Sequence, residues 1–252
     1  MITITLDIET APLEVYSWGL WKQNIGLDQI QNEWSLLSYA VKRLDKKEIR
    51  YSDNREAEDP RDDYALLADL WSILNEADIV IAQNGKQFDL KRINARFAML
   101  NFSPPSPVRV IDTVLEARKK FGFTSNKLEW LSTHLTCEKK SKHKRFPGFS
   151  LWAECLKGNK AAWDEMKRYN IADVKATEEL YLKLRPWIDR HPNVALGVEA
   201  CPRCGSEDLQ FRGTVATQSG VYQRIRCSEC RGWSRQKQNQ LSKTERKVTL
   251  TC

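Results

Sequence analysis

Residues 2–8, Ile-Thr-Ile-Thr-Leu-Asp-Ile, alternate apolar and polar positions and are rich in β-branched side chains, which predicts a strand. Residues 34–43 and 47–51 predict two more strands, joined by a polar turn at Asp45-Lys46, so the three form a meander. Between them, residues 11–33 follow no period and are rich in Trp, and they read as a lid or side wall. Residues 60–76 carry Tyr64, Leu67, Leu70, Trp71 and Leu74 on one face, a helical pattern opened by Pro60. The short apolar run 78–82 fits a buried strand. A helix follows from about Phe88 to Leu100. After the break at Pro104, Pro105 and Pro107, residues 108–111 predict a further strand, with helical patterns at 112–120 and 126–135. Residues 136–150 read as a loop, and 160–188 as a long helix ending near Pro186. A meander followed by strand–helix alternation predicts an α/β fold, a mixed sheet flanked by helices.

Two carboxylates stand together on the first strand, because Asp7 and Glu9 at i and i+2 point to one face while Ile8 points to the other. Bare carboxylates that close repel, and a hard divalent cation such as Mg²⁺ or Mn²⁺ resolves the conflict. A second element, Gln83-Asn84-Gly85-Lys86-Gln87-Phe88-Asp89, runs from a buried strand through a turn into a helix, where sites gather in open α/β sheets. Taken alone, Asn84 and Asp89 only turn the chain and cap the helix. A third element, Tyr169-Asn170-Ile171-Ala172-Asp173, sets Tyr169 and Asp173 on one helical face at i and i+4.

In order, the three elements read DxE, N-x3-F-D and Y-x3-D. This pattern resembles the tyrosine-bearing branch of the DEDD superfamily of 3′-to-5′ exonucleases (DEDDy), whose fold is ribonuclease H-like, and the resemblance spans about residues 1–190. The sister branch carries His five positions before the last Asp, where this chain has Arg168. Many members place His before the Asn of the second element, where this chain has Gln83. The resemblance implies that Asp7, Glu9, Asp89 and Asp173 bind two Mg²⁺ or Mn²⁺ ions, and that Tyr169 orients the attacking water. It marks Asp112-Thr113 as a recurrent feature that is not a metal ligand. No nucleophile–base pair competes with this reading. His134, His143 and His191 sit in no triad context and read as surface or capping residues.

Seven cysteines include two CxxC pairs, Cys201/Cys204 and Cys227/Cys230. Two knuckles 22 residues apart, with alternating stretches at 207–215 and 221–226 to form a hairpin between them, fit a zinc ribbon holding one structural Zn²⁺. The expected domains are therefore residues 1–190 and a ribbon domain 191–252 with a loose polar tail.

Composition adds a partner. The formal net charge is +7 and the pI about 9.0, and residues 191–252 hold 10 basic against 5 acidic side chains. A basic appendage on a near-neutral body suits a polyanion. Thr10, Asn84, Lys139, Lys140, Arg224, Arg226 and Trp233 are the candidate nucleic-acid contacts. Arg203, Arg212, Arg231 and Arg235 also stand in the ribbon. The basic run 139–145, Lys-Lys-Ser-Lys-His-Lys-Arg, lies before the last acidic helix. No apolar run approaches ~18 residues and no apolar leader opens the chain, which predicts a cytoplasmic chain without membrane contact. The activity so implied is removal of nucleotides from the 3′ end, with single-stranded DNA favoured as substrate. The rivals are an RNA-trimming exoribonuclease of the same fold and a catalytically silent nucleic-acid-binding adaptor.

Overall fold

A computed structural model describes residues 1–139 and 143–251. The chain forms two compact units, Met1–Tyr181 and Leu182–Cys252.

The first unit is built on a five-stranded mixed sheet in the order β5-β4-β1-β6-β7. Its strands are β1 (Thr3–Thr10), β4 (Leu36–Arg43), β5 (Ile49–Asp53), β6 (Ile79–Ala82) and β7 (Arg109–Asp112). The meander is antiparallel, and β6 and β7 add to β1 in parallel. Ile4, Leu6 and Ile8 project from one face of β1 and pack with Leu66, Leu67, Leu70 and Leu74 of α1 (Tyr64–Glu76) and Ile93 and Phe97 of α2 (Asp89–Met99). A second cluster joins Ala11 and Leu37 to Leu151 and Cys155 of α5 (Ser150–Leu156) and Trp163 and Met166 of α6 (Lys160–Leu184). The central strand is thus covered on both sides, as a sheet that receives parallel crossovers must be. Helices α3 (Thr113–Lys120) and α4 (Leu128–Leu135) follow β7.

Three local features depart from the periodicity. Helix α1 begins at Tyr64 rather than Pro60, because the preceding turn is tied elsewhere. Asn54 Nδ2 donates to the carbonyls of Leu36 and Pro60, and the Asp63 carboxylate takes the Leu36 amide and the Arg96 guanidinium. Helix α5 has no counterpart in the periodicity, since seven residues give too few turns for a period to register. The aperiodic stretch 11–33 contains a small antiparallel pair, β2 (Glu14–Val15) with β3 (Ile30–Asn32), and exposes Trp18 and Trp21.

The second unit is a three-stranded sheet, β8 (Leu209–Thr217), β9 (Gly220–Cys227) and β10 (Trp233–Asn239), with β9 central. The hairpin was legible in the sequence, but β10 was not. Its Ser-Arg-Gln-Lys-Gln-Asn run has no apolar alternation, and pairing with β9 alone makes it a strand. The tail expected to be loose holds a short helix, α7 (Lys243–Val248). Its capping box runs between Ser242 and Glu245 and satisfies amides at the helix start. The boundary lies nearer the start of the chain than the expected residue 190, because 182–188 belong with the ribbon: Arg203 Nε donates to the Ile188 carbonyl at 3.0 Å. Among the described residues no helix is long and apolar enough to cross a membrane.

Candidate active site

The site is built at the end of β1. Strand β6 pairs with β1 only through Thr3–Thr5, so beyond that point one edge of β1 lacks a strand neighbour. Asp89, first residue of α2, occupies it: its Oδ1 accepts the Ile8 amide at 3.2 Å. The Asp89 carboxylate therefore lies against the backbone between Asp7 and Glu9, and Phe88, the residue at the N-cap of α2, makes no side-chain cap. The side chain is 3% exposed. Burial, reinforced by the nearby Asp112 charge, pushes its pKa up to about 7 against the pull of two backbone hydrogen bonds.

Helix α6 reaches the same strand through Asn170, which is fully buried. Its Nδ2 donates to the Asp7 carbonyl and to Asp7 Oδ2, while Ser38 Oγ on β4 donates to its Oδ1. Tyr169 and Asp173 flank this anchor and are both buried. Glu9 accepts a hydrogen bond at 2.9 Å from the indole Nε1 of Trp152 on α5. The Trp152 ring meets Tyr169 edge-on at 6.1 Å between centroids, and His143 packs edge-on against both, at 5.4 Å from Trp152 and 5.2 Å from Tyr169. The His143 ring is held in turn by the Phe146 carbonyl, 2.6 Å from Nδ1. The β1–β4 register slips between Glu9 and Thr10, an irregularity of the kind that re-aims side chains beside sites.

The turn that delivers Asp89 is held by Asp112. Its carboxylate caps α3 through the amides of Val114 and Leu115 and also accepts those of Asn84 and Lys86. Asn84 adopts the left-handed conformation at φ 67°, which asparagine tolerates. Gly85 is required by space, since a Cβ there would lie 2.4 Å from Ala82 Cβ. Gln83 donates to the Asn126 carbonyl at 2.9 Å and accepts from Thr113 Oγ1. Asn84 lines a cavity of about 580 Å³ with Arg118 and Lys127 on its walls. Lys139 spends its ammonium on the carbonyls of Ser132, Thr133 and Thr136 at the end of α4. Lys140 lies outside the described residues.

In the ribbon unit, the Sγ atoms of Cys201, Cys204, Cys227 and Cys230 all lie within 4.8 Å of one another. Two of these separations are 3.6 Å, Cys201–Cys230 and Cys204–Cys227. A tetrahedral site with Zn–S bonds of about 2.3 Å has edges of about 3.8 Å, so this geometry fits a Zn²⁺. Burial pushes the Cys204 and Cys230 thiols up, and a bound cation reverses that preference by stabilising the thiolates. Around it, Arg224 and Arg226 stand over the Trp233 ring, at 4.9 and 5.9 Å from its centroid. Arg203 is committed to structure, donating to the carbonyls of Ile188 and Trp233.

A family model for the RNase_H superfamily matches residues 24–185. The chain belongs to the RNase_H superfamily. Among solved structures, it resembles the family B DNA polymerase from the hyperthermophilic archaeon Pyrobaculum calidifontis, with a TM-score of 0.55 and 17% identity. The match covers 74% of this chain and 25% of that one, so the chain spans about a quarter of the polymerase, and the likeness is one of fold. No curated protein matches the sequence. Membership in the RNase_H superfamily supports a nuclease-type function acting on nucleic acid.

Within this RNase_H superfamily member, sequence reasoning missed Trp152 and the anchoring role of Asn170, and read His143 as a surface or capping residue. Nothing local marks any of them. Trp152 and Asn170 acquire their places from partners far along the chain, Glu9 for Trp152 at a separation of 143 residues and Asp7 for Asn170 at 163, and His143 meets Tyr169 only in the folded chain.

Proposed function

We propose that the protein is a metal-dependent 3′-to-5′ exonuclease of the tyrosine-bearing DEDD type. The observation that carries this reading is the Asp89–Ile8 hydrogen bond, which draws the second acidic element onto the strand of the first. The oxygen-only donor set of Asp7, Glu9, Asp89 and Asp173 suits hard divalent cations, and a buried carboxyl whose pKa is lifted to about 7 gains most from one. When bound, two Mg²⁺ or Mn²⁺ ions supply charge neutralisation and alignment for in-line displacement at the terminal phosphodiester.

The chain's own groups supply orientation. Asn170 holds the Asp7 carboxylate, Trp152 holds that of Glu9, and the edge-on rings of Trp152 and His143 restrict the Tyr169 ring. Tyr169 directs the attacking water with its hydroxyl. Hydrolysis of this kind draws mainly on positioning and electrostatics. Single-stranded DNA is the favoured substrate, and the second unit is a zinc ribbon that holds the strand.

The test is a gel time course on 5′-labelled single-stranded DNA and RNA of one sequence, with Mg²⁺ or Mn²⁺, beside Asp173→Ala. A descending ladder that vanishes in the variant is the expected result, and the faster polymer names the preferred sugar. No cleavage of either strand by folded, metal-supplied protein overturns the reading.

A further inference from the structure

The ribbon unit contains a cavity of about 630 Å³. One wall carries Lys183, Arg185 and Trp187, and the other carries Arg226, Arg231 and Trp233. The walls are clamped by Arg203, whose Nε donates to the Ile188 carbonyl at 3.0 Å and whose guanidinium donates to the Trp233 carbonyl at 2.6 Å. The groove is therefore preformed, and a ligand need not order it. Four cationic side chains face a single carboxylate, Glu229. Even with the two negative charges of a loaded zinc–tetrathiolate centre beside it, the balance stays positive. Two tryptophans are exposed in the same groove, Trp187 at 58% and Trp233 at 45%.

A backbone feature singles out Arg231. Each knuckle needs a left-handed residue directly after its second cysteine. The first uses Gly205, at φ 78°, and the second uses Arg231, at φ 62°. A non-glycine residue there is strained, because its Cβ crowds the backbone carbonyl. Folding alone favours glycine at this position, so the arginine serves something other than the turn.

We propose that this groove binds single-stranded nucleic acid, with Arg226, Arg231, Lys183 and Arg185 on the phosphodiester backbone and a base stacked on Trp187. Basic side chains interleaved with exposed aromatics are the combination such strands require. The choice of polymer rests on the nuclease reading above, but binding here needs no hydrolysis.

The test uses the full chain with zinc in place and a fluorescein-labelled (dT)12 in buffer free of Mg²⁺ and Mn²⁺, read by anisotropy across a salt series. Without those ions the carboxylates of the other unit repel the strand and no cleavage occurs. Arg231→Gly relieves the backbone and keeps one zinc per chain. It is expected to weaken binding and to flatten the slope of log K against log salt by about 0.7, one phosphate contact on a single strand. Trp187→Ala is expected to weaken binding by roughly 5- to 150-fold, the range for a lost base stack. Unchanged affinity and salt slope in both variants overturns the proposal. So does loss of zinc in Arg231→Gly with unchanged affinity, which marks the arginine as a charge balance for the thiolates. Equal displacement by poly-glutamate also overturns it and assigns the groove to acidic protein. The two readings separate cleanly. A wild-type chain that binds without ever cleaving refutes the exonuclease and spares the groove.

Discussion

Replacing Asp89 by asparagine isolates the cost of holding a buried carboxylate without a cation. The folded state raises this carboxyl from its ordinary 3.8 to about 7, chiefly by burial. The folded chain therefore binds the proton more tightly than the unfolded chain does. Its stabilising effect is complete below about pH 4 and is lost as pH rises to about 7. At 1.36 kcal/mol per pH unit, the loss over that window is on the order of 4 kcal/mol. For a unit of this size, that corresponds to roughly 8–16 °C in Tm. Asparagine preserves an oxygen for the Ile8 amide and carries no charge to desolvate. The assay is thermal or urea unfolding, followed by tryptophan fluorescence from pH 4 to 8, with zinc in place and no Mg²⁺ or Mn²⁺. Wild type and Asp89→Asn should coincide near pH 4, and the variant should be the more stable by a few kcal/mol at pH 8. Millimolar Mg²⁺ should then stabilise the wild type at pH 8 and leave the variant unmoved. Parallel curves across the whole range, or a variant less stable at pH 8, refute the reasoning.

Tyr169→Phe should slow turnover much more than it weakens substrate binding, and a pure affinity defect contradicts the water-orienting role. Trp152→Phe keeps a ring against Tyr169 but removes the donor to Glu9, so it should lower kcat, about tenfold for a lost hydrogen bond to a charged group, with KM little changed. Asp112→Ala leaves four amides without their carboxylate acceptor, and urea unfolding should register a loss of at least ~2 kcal/mol. Cys201→Ser should lose one zinc per chain by elemental analysis and destabilise the ribbon unit alone, a point that separate melting transitions can decide.

How much of this was legible in advance depends on the range of the interaction involved. Asp7 and Glu9 share a face because a strand has period two, and Tyr169 and Asp173 because a helix brings i and i+4 together. The cysteine pairs likewise announce themselves, since each knuckle is a local turn. The alternation of strand and helix was enough to indicate a mixed sheet with flanking helices, and β5-β4-β1-β6-β7 realises it. These features depend on neighbours in sequence, and spacing alone determined them.

Other features depended on which distant segments meet. Asp89 reads as a helix cap in sequence, yet its carboxylate takes the Ile8 amide 81 residues away, and Asp112 is the residue that caps a helix. Trp152 and Asn170 meet Glu9 and Asp7 only because α5 and α6 lie against β1, and His143 meets Tyr169 only in the folded chain. Strand β10 lacks apolar alternation and exists because β9 offers it a ladder, and Arg231 joins a groove only because Arg203 clamps the two walls. The pKa of Asp89 belongs to this second class as well. Its cause is exclusion of water, and no spacing of residues along a chain encodes how completely the folded chain will close over one of them.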